Sequence, residues 1–101
     1  MAKKSSRNND LLNSVKAKTS PKIYDLLVEL VNDDREDLAE IVIKVDFLLE
    51  YASNCIKQKD LEEAKESLQR AKSRIDKVKA EGGDTAYLEY LYEGIEKKAK
   101  L

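Results

Sequence analysis

The chain has 101 residues, 42% of them hydrophobic and 39% charged, with a formal net charge of −1. That length supports one small domain with a modest core, and the near-neutral balance excludes a generally basic nucleic-acid coat. There is no histidine and one cysteine, Cys55, which excludes His-based triads, His metal sites, a zinc site and an internal disulfide.

The lone thiol fits a reducing compartment, so a cytoplasmic location is expected. No apolar run approaches the ~20 residues of a membrane span. The basic start MAKKSSRNND is followed by no apolar stretch of the kind a secretory signal needs, and no membrane partner is expected. High Lys and Glu beside two Gln, one Cys and one Met lean towards thermophile usage, and five Asn count against it. Residues 32–63 carry ten acidic and four basic groups, whereas residues 1–31 carry six basic and three acidic, and residues 64–80 six and two. The small net charge hides an acidic middle and two basic patches.

One proline and three glycines leave few places to turn. The expected fold is all-α, a small antiparallel helical bundle of about four main helices behind a flexible basic N-terminal tail. Residues 1–9 lack apolar periodicity and are the tail; residues 10–101 are a single helical-bundle domain. Leu11, Leu12 and Val15 suggest a short first helix. Ser20-Pro21 is a start signal, because Ser caps free backbone N–H groups and Pro at the first helical position loses no hydrogen bond. Ile23, Leu26, Leu27, Leu30 and Val31 then line one helical face. The run NDDRED ends that helix and opens the next, with acids where the helix dipole favours them.

The stretch EIVIKVDFLLEY, Glu40 to Tyr51, alternates like a strand between Ile41 and Phe47. Length decides for helix. From Asp34 to Lys59 there is no Gly and no Pro, and Leu38, Ile41, Val45, Leu48, Ala52 and Cys55 alternate steps of three and four, widened by Val42, Leu49 and Ile56. Asp60 and Glu63 form a capping box for the next helix, whose stripe is Leu61, Ala64, Leu68, Ala71, Ile75 and Val78. Gly82-Gly83 supplies a left-handed stop. Asp84 or Thr85 caps the last helix, with Leu88, Leu91, Tyr92, Ile95 and Ala99 on one face. Gly94 inside it is either tolerated or marks a close backbone approach.

The Glu40–Tyr51 helix has a second apolar stripe. Ile43, Phe47 and Tyr51 follow at four-residue steps, nearly opposite the main face and beside Glu40 and Lys44. Two readings stay open. Either the Ser20–Val31 helix or the N-terminal segment covers the stripe, or it meets a larger protein partner or a second copy of the chain. The matching apolar face of the Ser20–Val31 helix favours the first.

The segment LLEYASNCIKQKDLEEAKESLQRAKSRID resembles one tetratricopeptide-type helical hairpin. Tyr51 and Ala52 fall where its first helix carries Leu and a small residue, and Leu61, Ala64, Leu68 and Ala71 match its second helix. Lys59 replaces the glycine usual before the aspartate, and no second copy follows. Roughly residues 38–101, ending EYLYEGIEKKAKL, are also similar to a microtubule-interacting-and-transport domain, a three-helix peptide-binding module. Both resemblances imply protein binding and no chemistry.

Chemistry has few other footholds. No Gly-rich phosphate loop is present, and neither a cofactor nor a small-molecule substrate is expected. Asp37-x-x-Glu40 and Glu63-x-x-Glu66 weakly resemble the acidic motifs of all-helical, magnesium-dependent nucleotide pyrophosphohydrolases, but Glu40 and Glu66 face away from the apolar stripes of their helices. Arg70, Arg74 and Lys77 share one exposed helix face and, with Lys3, Lys4 and Arg7, are candidates for phosphates or an acidic partner. No aromatic interleaves with them in sequence. The reading reached is a non-enzymatic adaptor or accessory subunit, with a nucleic-acid-handling machine as one candidate host. Direct nucleic-acid binding is the alternative and the metal-dependent hydrolase a third.

Overall fold

Helix boundaries follow the local chemistry. In the computed structural model, which describes residues 20–99, Ser20 Oγ accepts the Ile23 N–H at 3.3 Å and Pro21 opens α1 (Pro21–Asn32). Three further helices follow, α2 (Glu36–Lys57), α3 (Leu61–Ala80) and α4 (Ala86–Ala99), and no strand occurs among the described residues. The fold is therefore an all-α bundle, and Glu40–Tyr51 lies wholly within the 22-residue α2. The tail at residues 1–9 and the short helix suggested by Leu11, Leu12 and Val15 lie outside the described residues.

The three junctions use one device. Asp34 (φ 68°), Lys59 (φ 65°) and Gly82 (φ 87°) each adopt a left-handed backbone just past a helix end. The next N–H, of Arg35, Asp60 or Gly83, then reaches back to Leu30, Cys55 or Val78 at 2.8, 2.8 and 2.9 Å. These bonds satisfy carbonyls that a helix end leaves orphaned. They also correct one expectation. Asp60 Oδ1 does accept the Glu63 N–H at 3.3 Å, but the Asp60 N–H is committed to Cys55, so the reciprocal half of the box is not needed. At α4 Asp84 is the side chain that caps, its Oδ1 accepting the Ala86 N–H, whereas the Thr85 hydroxyl donates to the Glu89 carboxylate.

The dominant contact is the antiparallel α2–α3 hairpin, with α1 packed on α2 and α4 packed on both α2 and α3. Its seam is built from small and mid-sized residues: Val45 and Ala52 on α2, and Ala64, Ser67, Ala71 and Val78 on α3, all buried. Ser67 Oγ donates to the Leu48 carbonyl at 2.8 Å, tying the two helices at mid-length. Leu61, expected in the α3 stripe, is instead 37% exposed at the start of the helix. Ile41, Leu48 and Ile56, expected on the main α2 face, are only half-buried. Ala39, expected nowhere in the core, is fully buried. It sits on a flank of α2 about 100° round from Leu38. α1 buries Ile23, Leu26, Leu27, Leu30 and Val31.

At the hairpin's open end, Arg35 donates to both carboxylate oxygens of Asp37, to the Glu81 carboxylate at 3.1 Å and to the Glu81 carbonyl at 3.4 Å. It thereby ties the α1–α2 turn to the end of α3. These groups are exposed, so the clamp fixes geometry more than it adds stability.

The left-handed turns make opposite predictions for two residues. Lys59 holds a backbone angle that costs a side-chain-bearing residue energy, so Lys59→Gly should stabilise by about 0.5–1 kcal/mol. A Cβ on Gly83 would stand 2.5 Å from Val78 Cγ1 and 3.2 Å from its carbonyl oxygen, so Gly83→Ala should cost about 1–3 kcal/mol. Urea melts of the two variants check both signs.

Candidate interaction face

The hydrogen bond from Ser67 to Leu48 fixes which sides of α2 and α3 meet, and thus which sides point away. Phe47 lies about 180° round α2 from Leu38, at about 100° per residue. It is 67% exposed at the middle of the helix, and Tyr51, one turn on, is 43% exposed. Ile43 is half-buried and packs against the core. The described helices thus cover Ile43 but leave Phe47 and Tyr51 exposed, and the N-terminal segment, the other element expected to cover the stripe, lies outside the described residues.

Counting the same angles on α3 from the Ser67 contact places Arg70, Arg74 and Lys77 on the matching outward side. With Leu48 level with Ser67 in an antiparallel pair, Phe47 comes level with Leu68 and Lys44 with Ala71, so Arg70 stands nearest to Lys44 and Phe47, Arg74 and Lys77 lie roughly 9 and 14 Å further towards the α2 N-terminal end, and Tyr51 lies at the other end, level with Ala64. The residue types were readable in the sequence; their adjacency was not. It depends on a register, Leu48 opposite Ser67, that no local signal in the chain specifies.

The electrostatics put Tyr51 at the acidic end of this face. The Tyr51 phenol is raised above its ordinary pKa, first by the Cys55 thiol one turn away and then by the Glu63 and Asp60 carboxylates across the hairpin. Arg70 pairs with Glu66 at 2.8 Å, and Arg74 donates to the Arg70 carbonyl at 3.4 Å. Lys77 is exposed. The face is thus mixed in charge: cations lie towards the α2 N-terminal end, and Glu63 and Asp60 towards the other. Lys3, Lys4 and Arg7 lie outside the described residues. Cys55 is buried beneath this end of the hairpin as a free thiol.

The carboxylate reading fares differently. Asp37 is engaged by Arg35, which holds its carboxyl below the ordinary value. Glu66 is engaged by Arg70. In an antiparallel hairpin with Leu48 level with Ser67, Asp37 near the start of α2 and Glu63 near the start of α3 stand roughly 22 Å apart along the axis at 1.5 Å per residue. Asp37 and Glu40 therefore do not meet Glu63 and Glu66. No group of three or more His, Cys, Asp or Glu converges among the described residues. Nor is any described helix long and apolar enough to cross a membrane.

No protein family, curated protein or solved structure matches this chain.

On the flank of α2, burial and then the charge of Glu50 hold the half-buried Asp46 carboxyl above its ordinary value. A folded-state pKa raised above the unfolded one means that ionisation opposes folding. The penalty is absent below the unfolded value of 3.8 and complete once pH exceeds the folded one. Asp46→Asn should therefore raise the melting temperature at pH 7 and lose that advantage as pH falls below 3.8; paired thermal melts across that range check it.

Proposed function

We propose that this protein is a small non-catalytic adaptor or accessory subunit that holds a larger protein partner on the outer face of the α2–α3 hairpin, with Phe47 and Tyr51 as anchors. The observation that carries this reading is the exposure of Phe47 at the centre of the longest helix. Burying a large aromatic side chain is worth roughly 1.5–3 kcal/mol, and a monomer forgoes that gain at this position. A partner that covers the ring recovers it. Aromatic anchors within a mixed charged rim are the usual anatomy of a protein interface. The resemblance of the hairpin to tetratricopeptide-type and microtubule-interacting-and-transport modules supports the same role. Lys3, Lys4 and Arg7 are the reason to look first among nucleic-acid-handling assemblies for the host.

A second reading has one observation in its favour. The Leu48–Ser67 register favours Arg70 as a neighbour of the exposed Phe47 ring, one aromatic near one cation, which is part of the aromatic element that single-strand binding requires and that the linear sequence lacks. The pairing of Arg70 with Glu66, and the nearby Glu63 and Asp60, favour the protein partner over a phosphate backbone.

One capture experiment separates the readings. Phe47→Glu should melt within about 0.5 kcal/mol of the parent, as surface changes do, and should lose the protein partner that the parent retains in affinity capture from its native cells. Retention of that partner, or a strongly lowered melt, would overturn the adaptor reading. If nucleic acid is captured instead, neutralising Arg70, Arg74 and Lys77 together should weaken it and flatten the salt slope by roughly one unit for each phosphate left without its cation.

A further inference from the structure

A second exposed surface lies on α4, on the side facing away from α3. Tyr90 is 72% exposed, more than Phe47, Tyr51 or Leu61. Its ring stacks on that of Tyr87 with centroids 6.2 Å apart, and the Lys22 ammonium sits 5.4 Å from the Tyr87 ring centre. The exposed ring is therefore propped in place. One turn further on, Gly94 lies in mid-helix, where glycine lowers helix stability. A Cβ there would meet nothing within 4 Å, so the close backbone approach that its position suggested is absent from the described fold. Its missing side chain opens a cleft of about 460 Å³, bordered by Tyr90, Leu91, Ile95 and Lys98.

Knob and hole thus stand one turn apart on a single face, and this spacing is self-complementary. We propose that α4 pairs antiparallel with α4 of a second copy of this chain, about a two-fold axis level with Tyr92, so that each Tyr90 ring enters the other copy's Gly94 notch. A two-fold contact uses one patch twice. The same axis brings the basic end of α4, Lys97 and Lys98, alongside the start of its partner, where Asp84 is exposed. A parallel pairing would set like charges together. Two 14-residue helices present a small surface, so the dimer is weak and depends on concentration. The pairing does not rest on the adaptor reading, because it leaves the outer α2–α3 face free.

Analytical ultracentrifugation of the full chain over a wide concentration range tests the pairing. The mass should rise from one chain to two, and Tyr90→Ala and Gly94→Ala should each weaken the association at least tenfold. Gly94→Ala carries a further signature. At dilution, where the protein is a monomer, it should raise the melting temperature by roughly 4–8 °C, because alanine is the better helix former. A glycine needed by the monomer fold would lower it. A single-chain mass at every concentration, or a dimer that either variant leaves unchanged, would overturn the proposal.

Discussion

Everything outward-facing in this protein depends on the closeness of α2 and α3. Alanines and a serine let the two backbones approach, and the Ser67 hydroxyl completes the contact by donating to the Leu48 carbonyl at 2.8 Å. That carbonyl already belongs to a helix, so the hydroxyl uses its second lone pair and is itself left with a partner despite its burial. A bulkier residue at position 67 would push the helices apart and remove the bond that sets their register. Register in turn decides which residues of α3 stand beside Phe47 and Tyr51. The interaction face is thus a consequence of the seam behind it.

The seam also explains why a chain of this size leaves large aromatics in water. α2 is approached by all three other helices, yet Phe47 and Tyr51 stay exposed. α3 meets it along the Leu48–Ser67 seam, and α1 and α4 pack on other parts of it. With 12 residues, α1 is also too short to extend along the whole of α2. Beyond it, Asp46 and Glu50 occupy the flank, and Phe47 and Tyr51 the outer side. Hydrophobic residues exposed singly are ordinary on protein surfaces. Two aromatics one turn apart, framed by Lys44, Arg70 and Glu63, form a patch.

Much of the fold was legible in the sequence, for identifiable reasons. The length of the uninterrupted Asp34–Lys59 segment overrode its strand-like alternation. Ser20-Pro21, Asp60 and Gly82 marked helix ends through chemistry that only a few residue types supply. Junctions at Asp34 and Lys59 were not legible as left-handed turns, because ordinary side chains adopt that backbone there under the pull of the Arg35 and Asp60 hydrogen bonds. The burial of Ala39 and Ser67 was missed because small residues carry little hydrophobic signal, although they are what allows helices to close. At the candidate site, the second stripe of α2 was visible, but a helical wheel shows only that two apolar faces exist. Which of them gets covered is decided by where a third helix comes to rest.

The central claim is that the Phe47 side of α2 is open to water in the free protein and held so by a fixed hairpin. The chain contains no tryptophan, so Phe47→Trp introduces a single fluorescent reporter at that position. Its emission maximum and its quenching by a small neutral quencher measure exposure of the ring directly. Emission typical of indole in water and near-unhindered quenching are predicted, with the helical melt of the parent retained. A blue-shifted emission protected from quencher in the dilute, folded protein would show that the chain covers this face itself, and would contradict the claim.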